Sequence, residues 1–208
     1  MLKYFISILL ITTSLNLSSQ ENDLLDTIPI KTTYGIKLGI DLSKQIRMLT
    51  ESNYRGLVIT GDYRIFDKLF LAAEFGSEEK KITNEIFDFN TKGSFLKLGI
   101  NYNVYKNRIV LENEIYVGFR YGISNFSHKL NSYKIYDLDQ YWNQNLANNT
   151  TDFKNLSASW VEFVLGFNAE VLKNTYMGIS LRLNRLLNQE NPKNFSNLYI
   201  PGFNKVLE

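Results

Sequence analysis

The only histidine of this 208-residue chain, His128, stands beside Ser127 and ahead of Asp137 and Asp139. Serine, histidine and a carboxylate are the parts of an acyl-transfer site, where the imidazole takes the hydroxyl proton and the carboxylate orients the ring. Here they converge poorly, because neighbours along an extended chain point to opposite faces and Ser127 turns away from His128. A solvated loop histidine is the reading adopted, with a lipid-modifying enzyme built on His128 as the alternative. Asp137, Asp139 and Gln140 raise the question of calcium, but the stretch lacks the central glycine and terminal glutamate of a calcium loop and reads as a solvated acidic loop. Zinc-ligand spacing and a phosphate-cradling glycine loop do not occur. The chain contains no cysteine, which excludes thiolate metal sites, cysteine nucleophiles, disulfide scaffolds and a lipidated N-terminal cysteine. No catalytic residue, cofactor or metal is therefore assigned.

The elements around these residues begin with an export signal. Lys3 precedes an apolar run containing Phe5, Ile6, Ile8, Leu9, Leu10 and Ile11, and Ser18 and Gln20 sit where small or polar residues precede cleavage. The run is far shorter than the ~20 apolar residues of a spanning helix. Residues 1–20 are read as a signal peptide and 21–33 as a periplasmic N-terminal segment. A net charge of +2 gives no reason to expect nucleic acid as a partner.

From Thr33 onward, runs of about ten residues alternate in hydrophobicity. In Gly93 to Tyr105, Leu96, Leu98, Ile100, Tyr102 and Val104 oppose Phe95, Lys97, Gly99, Asn101 and Asn103. Ile115 to Ser124, Val161 to Val171, Ile36 to Leu42 and Met177 to Asn184 repeat the pattern. Two weaker runs complete it: Leu57 to Ile65 carries Gly61 on its apolar face, and Leu69 to Glu78 mixes Phe70 into its polar set. These seven strands approach the ~9 to 11 residues of a tilted membrane strand. The connections alternate long and short: Ser43 to Asn53, Phe66 to Lys68, Ser77 to Lys92, Lys106 to Ile109, Asn125 to Ser157, Leu172 to Thr175, and Leu187 onward. Outer-membrane barrels join strands in this way, with short periplasmic turns and long external loops. Glu78-Glu79-Lys80-Lys81 reads as a strand tip entering such a loop.

The same faces would suit either a membrane barrel with its polar face inside or a soluble lipocalin-like carrier with its apolar face inside. Gly35, Gly39, Gly56, Gly76, Gly99, Gly118, Gly122, Gly166 and Gly178 share the polar face, where they would make room for long side chains across a narrow lumen. That face also carries Lys37, Asp41, Asp62, Arg64, Glu74, Lys97, Arg120, Glu162, Glu170 and Arg182, five of each sign, as expected of a lumen crossed by salt bridges. Turned into lipid, each cation would cost about 2 to 4 kcal/mol near the midplane. The polar face is therefore placed inside an eight-strand transmembrane barrel occupying residues 34–208. Tyr34, Tyr63, Tyr102, Tyr116, Trp160 and Tyr176 lie near strand ends, where aromatic residues gather at membrane interfaces.

Gly35-Ile36-Lys37-Leu38-Gly39-Ile40-Asp41, Lys97-Leu98-Gly99-Ile100-Asn101-Tyr102, Gly118-Phe119-Arg120-Tyr121-Gly122 and Leu198-Tyr199-Ile200-Pro201-Gly202-Phe203 resemble a domain-of-unknown-function family of outer-membrane-like β-barrel proteins. The resemblance spans most of Tyr34 to Val206. It implies fold and outer-membrane location and transfers no catalytic set. It also implies one more strand beyond Gly202 ending in an aromatic residue, so the chain is expected to be a C-terminally truncated eight-strand barrel, since unpaired edges in lipid are costly.

The expected role is non-enzymatic, structural or surface-interacting. Membrane lipid would surround the wall, and an unknown surface ligand or protein would meet the external loops, chiefly Tyr133, Tyr136, Tyr141 and Trp142 in the longest one. The lumen charges form either a salt-bridge plug, the reading adopted, or a narrow conducting path.

Overall fold

Alternation becomes ladder in a computed structural model that describes residues 35–84, 87–105, 113–134, 146–147, 150–192 and 196–205. In chain order the elements are β1 (Ile36–Ile40), α1 (Leu42–Thr50), β2 (Tyr54–Phe66), β3 (Leu69–Thr83), β4 (Phe87–Asn103), β5 (Glu114–Lys134), β6 (Leu146–Ala147), β7 (Thr151–Leu172), β8 (Thr175–Gln189), β9 (Tyr199–Ile200) and β10 (Asn204–Lys205). The fold is all-β. Seven strands run up and down in one antiparallel sheet, ordered β1-β2-β3-β4-β5-β7-β8, with β6 appended to β5. β9 and β10 pair with each other alone.

Along the strands one row of apolar residues points outward, while the inward row carries the buried charges together with Val58, Phe95, Phe126, Trp160 and Val164. Phe119 is 52% exposed and its neighbour Arg120 4%; Leu98 is 50% exposed and Lys97 4%. The sheet is curled so that its polar face is concave, because Arg182 on β8 reaches Glu74 on β3 across three intervening strands. Glycine permits this curl where large side chains cross the concave space. A Cβ on Gly122 would run into the Trp160 ring, and one on Gly166 into the Tyr116 ring. A Cβ on Gly61, on the outer face, would meet nothing closer than Leu38 at 3.5 Å and Lys37 O at 4.0 Å, which is ordinary contact. Phe70 faces inward among the polar residues because cations cover its ring, with Lys37 Nζ 5.3 Å and the Arg64 guanidinium 5.0 Å from the centroid.

Three expected loops are corrected. Ser43 to Asn53 is mostly helix: Asp41 caps α1 by accepting from Ser43 N at 3.0 Å, and the helix lies beside β2 where β1 has ended. There Asp41 N donates to Val58 O at 3.1 Å, which satisfies an edge carbonyl that β1 no longer reaches. Ser77 to Lys92 is largely ladder, with β3 running to Thr83 and β4 starting at Phe87. Asn125 to Ser157 is ladder to Lys134 and again from Thr151. In these extensions outward pairs such as Lys129 and Asp152 are polar on both strands, so the ladder continues beyond the apolar alternation that marks it below. Two of the three expected short turns are as narrow as their spacing implies, and the third, Lys106 to Ile109, lies outside the described residues. Asp67-Lys68 joins β2 to β3, and Lys173-Asn174 joins β7 to β8 with Asn174 at φ 61°.

Leu198 to Phe203 lies off the seven-stranded sheet. The segment turns back over the concave face, and Gly202, at φ +83°, lies so close to the Phe95 ring that a Cβ would meet it at 2.5 Å. Among the described residues no helix is long and apolar enough to cross a membrane.

Candidate functional site

The concave face is a charge network set by cross-strand register. β3–β4 pairing puts Glu74 opposite Lys97, and β5–β7 pairing puts Arg120 opposite Glu162. Their side chains then reach further across the curl. Arg120 Nη1 donates to Glu74 Oε1 at 2.5 Å and Arg182 Nη1 to Glu74 Oε2 at 2.7 Å, so both oxygens of that carboxylate are taken. Lys97 Nζ and Trp160 Nε1 both donate to Glu162 Oε1, at 2.7 and 2.8 Å. Charges this deeply buried are tolerable only when paired and hydrogen-bonded, and here each anion faces more than one cation.

A chain of amides carries the network toward the short-turn end. Arg120 Nη2 donates to Asn101 Oδ1 at 3.3 Å, and Asn101 Nδ2 to Asp62 Oδ1 at 3.1 Å. Beside it, Glu114 receives Lys37 Nζ at 2.5 Å and Asn168 Nδ2 at 3.1 Å, with Arg64 at 4.0 Å. Eight of the ten charges expected inside thus fall into these two clusters. The other two sit elsewhere. Asp41 is the helix cap, and Glu170, near the β7–β8 turn, accepts from Asn174 N at 3.0 Å. Glu114 was missed, although it shares the parity of Tyr116, Gly118 and Arg120 and directly precedes Ile115, where the expected strand began.

The opposite end of the concave face, called the mouth below, is covered by residues 196–205. Ile200 enters an apolar cluster with Val58, Phe95, Phe126, Leu156, Ala158 and Trp160, and Phe203 meets the Trp160 ring edge-on at 5.8 Å. Tyr199 Oη donates to Glu78 Oε2 at 2.5 Å, and Gly202 N to the same oxygen at 3.1 Å. Burial first, then the negative charge of Glu78, drive the Tyr199 phenol pKa above its usual range. The run Glu78 to Lys81 is therefore not a solvated tip. Glu78 also faces Lys44 Nζ at 2.8 Å, Glu79 accepts from Asn90 at 3.0 Å, Lys80 donates to Glu51 and Asn53, and Lys81 lies 3.4 Å from Asp88. The Lys80 hydrogen bond, then that from Arg47, hold the Glu51 pKa below the ordinary carboxylate value.

His128 is likewise corrected from solvated loop to buried strand, at 1% exposure. Its Nδ1 pairs with Thr91 Oγ1 at 2.9 Å and its Nε2 with Asn197 Oδ1 at 2.8 Å, between the rings of Phe89 and Phe126. Ser127 points the other way and donates to Lys92 O at 3.4 Å. No nucleophile–base pair is formed by these two residues. Asp137, Asp139, Gln140, Tyr136, Tyr141 and Trp142 lie outside the described residues, and Tyr133 is described only by its backbone pairing with Phe87 and Ala147. Among the described residues no group of three or more histidine or acidic side chains is disposed to hold a metal ion.

The family model for a domain of unknown function, DUF6048, matches residues 1–208. The chain belongs to this family. No curated protein and no solved structure matches it. The match covers the residues of the charge network and residues 196–205 alike.

Proposed function

We propose that this chain is a bacterial outer-membrane protein, exported by its N-terminal signal, whose strands close into a small transmembrane β-barrel with a salt-bridged, plugged lumen. It acts without catalysis, in a structural or surface-interaction role through its external connections. The observation that carries this reading is the inverted distribution of polarity, with Phe119, Leu165 and Leu181 exposed on the outer face while Lys97, Arg120 and Glu162 are buried inside. In water this arrangement is unfavourable on both counts, since apolar area stays wet and charges lose hydration. In a bilayer the outer rows meet hydrocarbon and the ladders satisfy the backbone internally. A soluble carrier would require the opposite arrangement. Closure is supported by the approach of the two end strands, Lys37 of β1 standing 4.3 Å from the ring centroid of Tyr176 on β8. Those strands run in the same direction, so a closing strand between them would be antiparallel to both.

Fractionation of the full-length protein expressed in a bacterium with two membranes tests the reading. Outer-membrane recovery that resists urea extraction, with heat-modifiable migration on gels, is expected. Recovery in the soluble periplasmic fraction would overturn it. The lumen is read as a plug because ion pairs fill it at two levels; stable ion-selective conductance in planar bilayers would replace the plug with a pore.

A further inference from the structure

The mouth holds a piece of chain that the wall does not need for its ladders. Among the described residues, β9 pairs only with β10, and the backbone bond of Phe203 N to Ile200 O closes within the segment. Side chains hold the segment in place: Asn197 Nδ2 donates to Gln189 Oε1, Glu190 O and Asn191 Oδ1, Arg47 donates to Asn204 Oδ1 at 3.4 Å, and the sheet recognises the segment at three further points. His128 reads the carboxamide of Asn197, Glu78 reads the phenol of Tyr199 and the amide of Gly202, and the Val58, Phe95 and Trp160 cluster takes Ile200. Proline follows as Pro201 and favours extended backbone before it, so the segment is partly organised for its pocket.

The receiving groups keep partners of their own without the segment. Glu78 still faces Lys44 Nζ at 2.8 Å, His128 still has Thr91 Oγ1 at 2.9 Å, and Arg47 still stacks on the Tyr54 ring, 4.1 Å from its centroid. Removing the occupant therefore leaves no wholly unpaired buried charge. The same groups meet a carboxamide, a phenol and a backbone amide of the occupant.

We propose that the mouth is a peptide-binding site which the chain's own Asn197–Phe203 fills in cis. In trans it accepts segments of the same pattern: a carboxamide, a tyrosine two residues on, then an aliphatic residue and proline. The phenol sets specificity, because phenylalanine in its place would leave a buried acceptor without its donor. A tethered occupant acts at an effective concentration in the millimolar range for short linkers, so an outside peptide competes only when the cis segment is loosened.

The test uses the full chain in detergent micelles and a fluorescent peptide, Asn-Leu-Tyr-Ile-Pro-Gly-Phe, followed by anisotropy. A chain carrying Tyr199→Ala and Ile200→Ser, with an unchanged far-ultraviolet dichroism spectrum, is expected to bind the peptide at least about tenfold more tightly than the wild-type chain. The peptide with phenylalanine for tyrosine, or Glu78→Gln in the loosened chain, is expected to lose about tenfold or more. If the double variant does not fold, Tyr199→Phe loosens the segment more mildly and should still bind more peptide than wild type. Binding no better than that of a scrambled peptide in a folded, loosened chain overturns the proposal. The assay reads segment exchange in micelles, so its failure leaves the membrane reading untouched.

Discussion

Arg182 on β8 holds Glu74 on β3 at 2.7 Å, although β4, β5 and β7 lie between them in the sheet. Glu74 is shared with Arg120 at 2.5 Å, so one carboxylate ties three strands across the concave space. Glu74→Ala would take the carboxylate from Arg120 and leave Arg182 only the more distant Glu162, at 3.8 Å. A loss of about 3 to 5 kcal/mol is expected, measured by denaturant unfolding in micelles. Replacing Lys97 and Glu162 together by leucine should cost far less than either single change, because well-packed apolar groups often replace a buried pair at little cost. Equal losses from the single and double replacements would contradict that account of the network.

Glycine placement gives a second test. Gly122→Ala drives a methyl into the Trp160 ring and is expected to cost about 1 to 3 kcal/mol, whereas Gly61→Ala on the outer face has room and should be nearly neutral. Thermal midpoints of the two variants check this; a neutral Gly122→Ala would mean that the ring gives way freely.

Acid should loosen α1 through Glu51. Its folded pKa is depressed, so its contribution is fully present above the unfolded value and is lost as pH falls through the folded one. The pair with Lys80 is partly exposed and is worth at most about 1 kcal/mol. Wild-type protein should melt slightly above Glu51→Gln at neutral pH, and the difference should vanish in acid. A difference that grows on acidification would contradict the sign.

The outer rows predict an asymmetry between solvents. Leu181→Arg on β8 should hinder folding into lipid vesicles by about 2 to 4 kcal/mol if the residue sits near the midplane, yet have little effect in detergent-free water, where an exposed arginine is unobjectionable. Refolding yields in the two media measure it.

Much of this was legible because strand parity is local. Lys97, Gly99 and Asn101 declare their face through their neighbours, and one register then carries Lys97 to Glu74. The helix was hidden for a different reason: Leu42, Ile46 and Leu49 do mark one face and Lys44, Arg47 and Glu51 the other, but nine residues inside an expected loop give little period to read. His128 and Asn197 are 69 residues apart in sequence, and Tyr199 and Glu78 are 121 apart. Nothing in the local pattern of Leu198 to Phe203 distinguishes a wall strand from a segment folded over the mouth, because both want alternating apolar side chains. The place of Leu198 to Phe203 over the concave face is set by contacts distant in sequence.

The cysteine-free chain allows one decisive measurement. Single cysteines at Leu98, Phe119, Leu165 and Leu181, labelled with an environment-sensitive fluorophore in protein folded into vesicles, report what touches the outer face. Insertion predicts quenching by brominated lipid chains and protection from aqueous iodide at all four positions. Iodide quenching at all four, with no effect of brominated lipid, would contradict it.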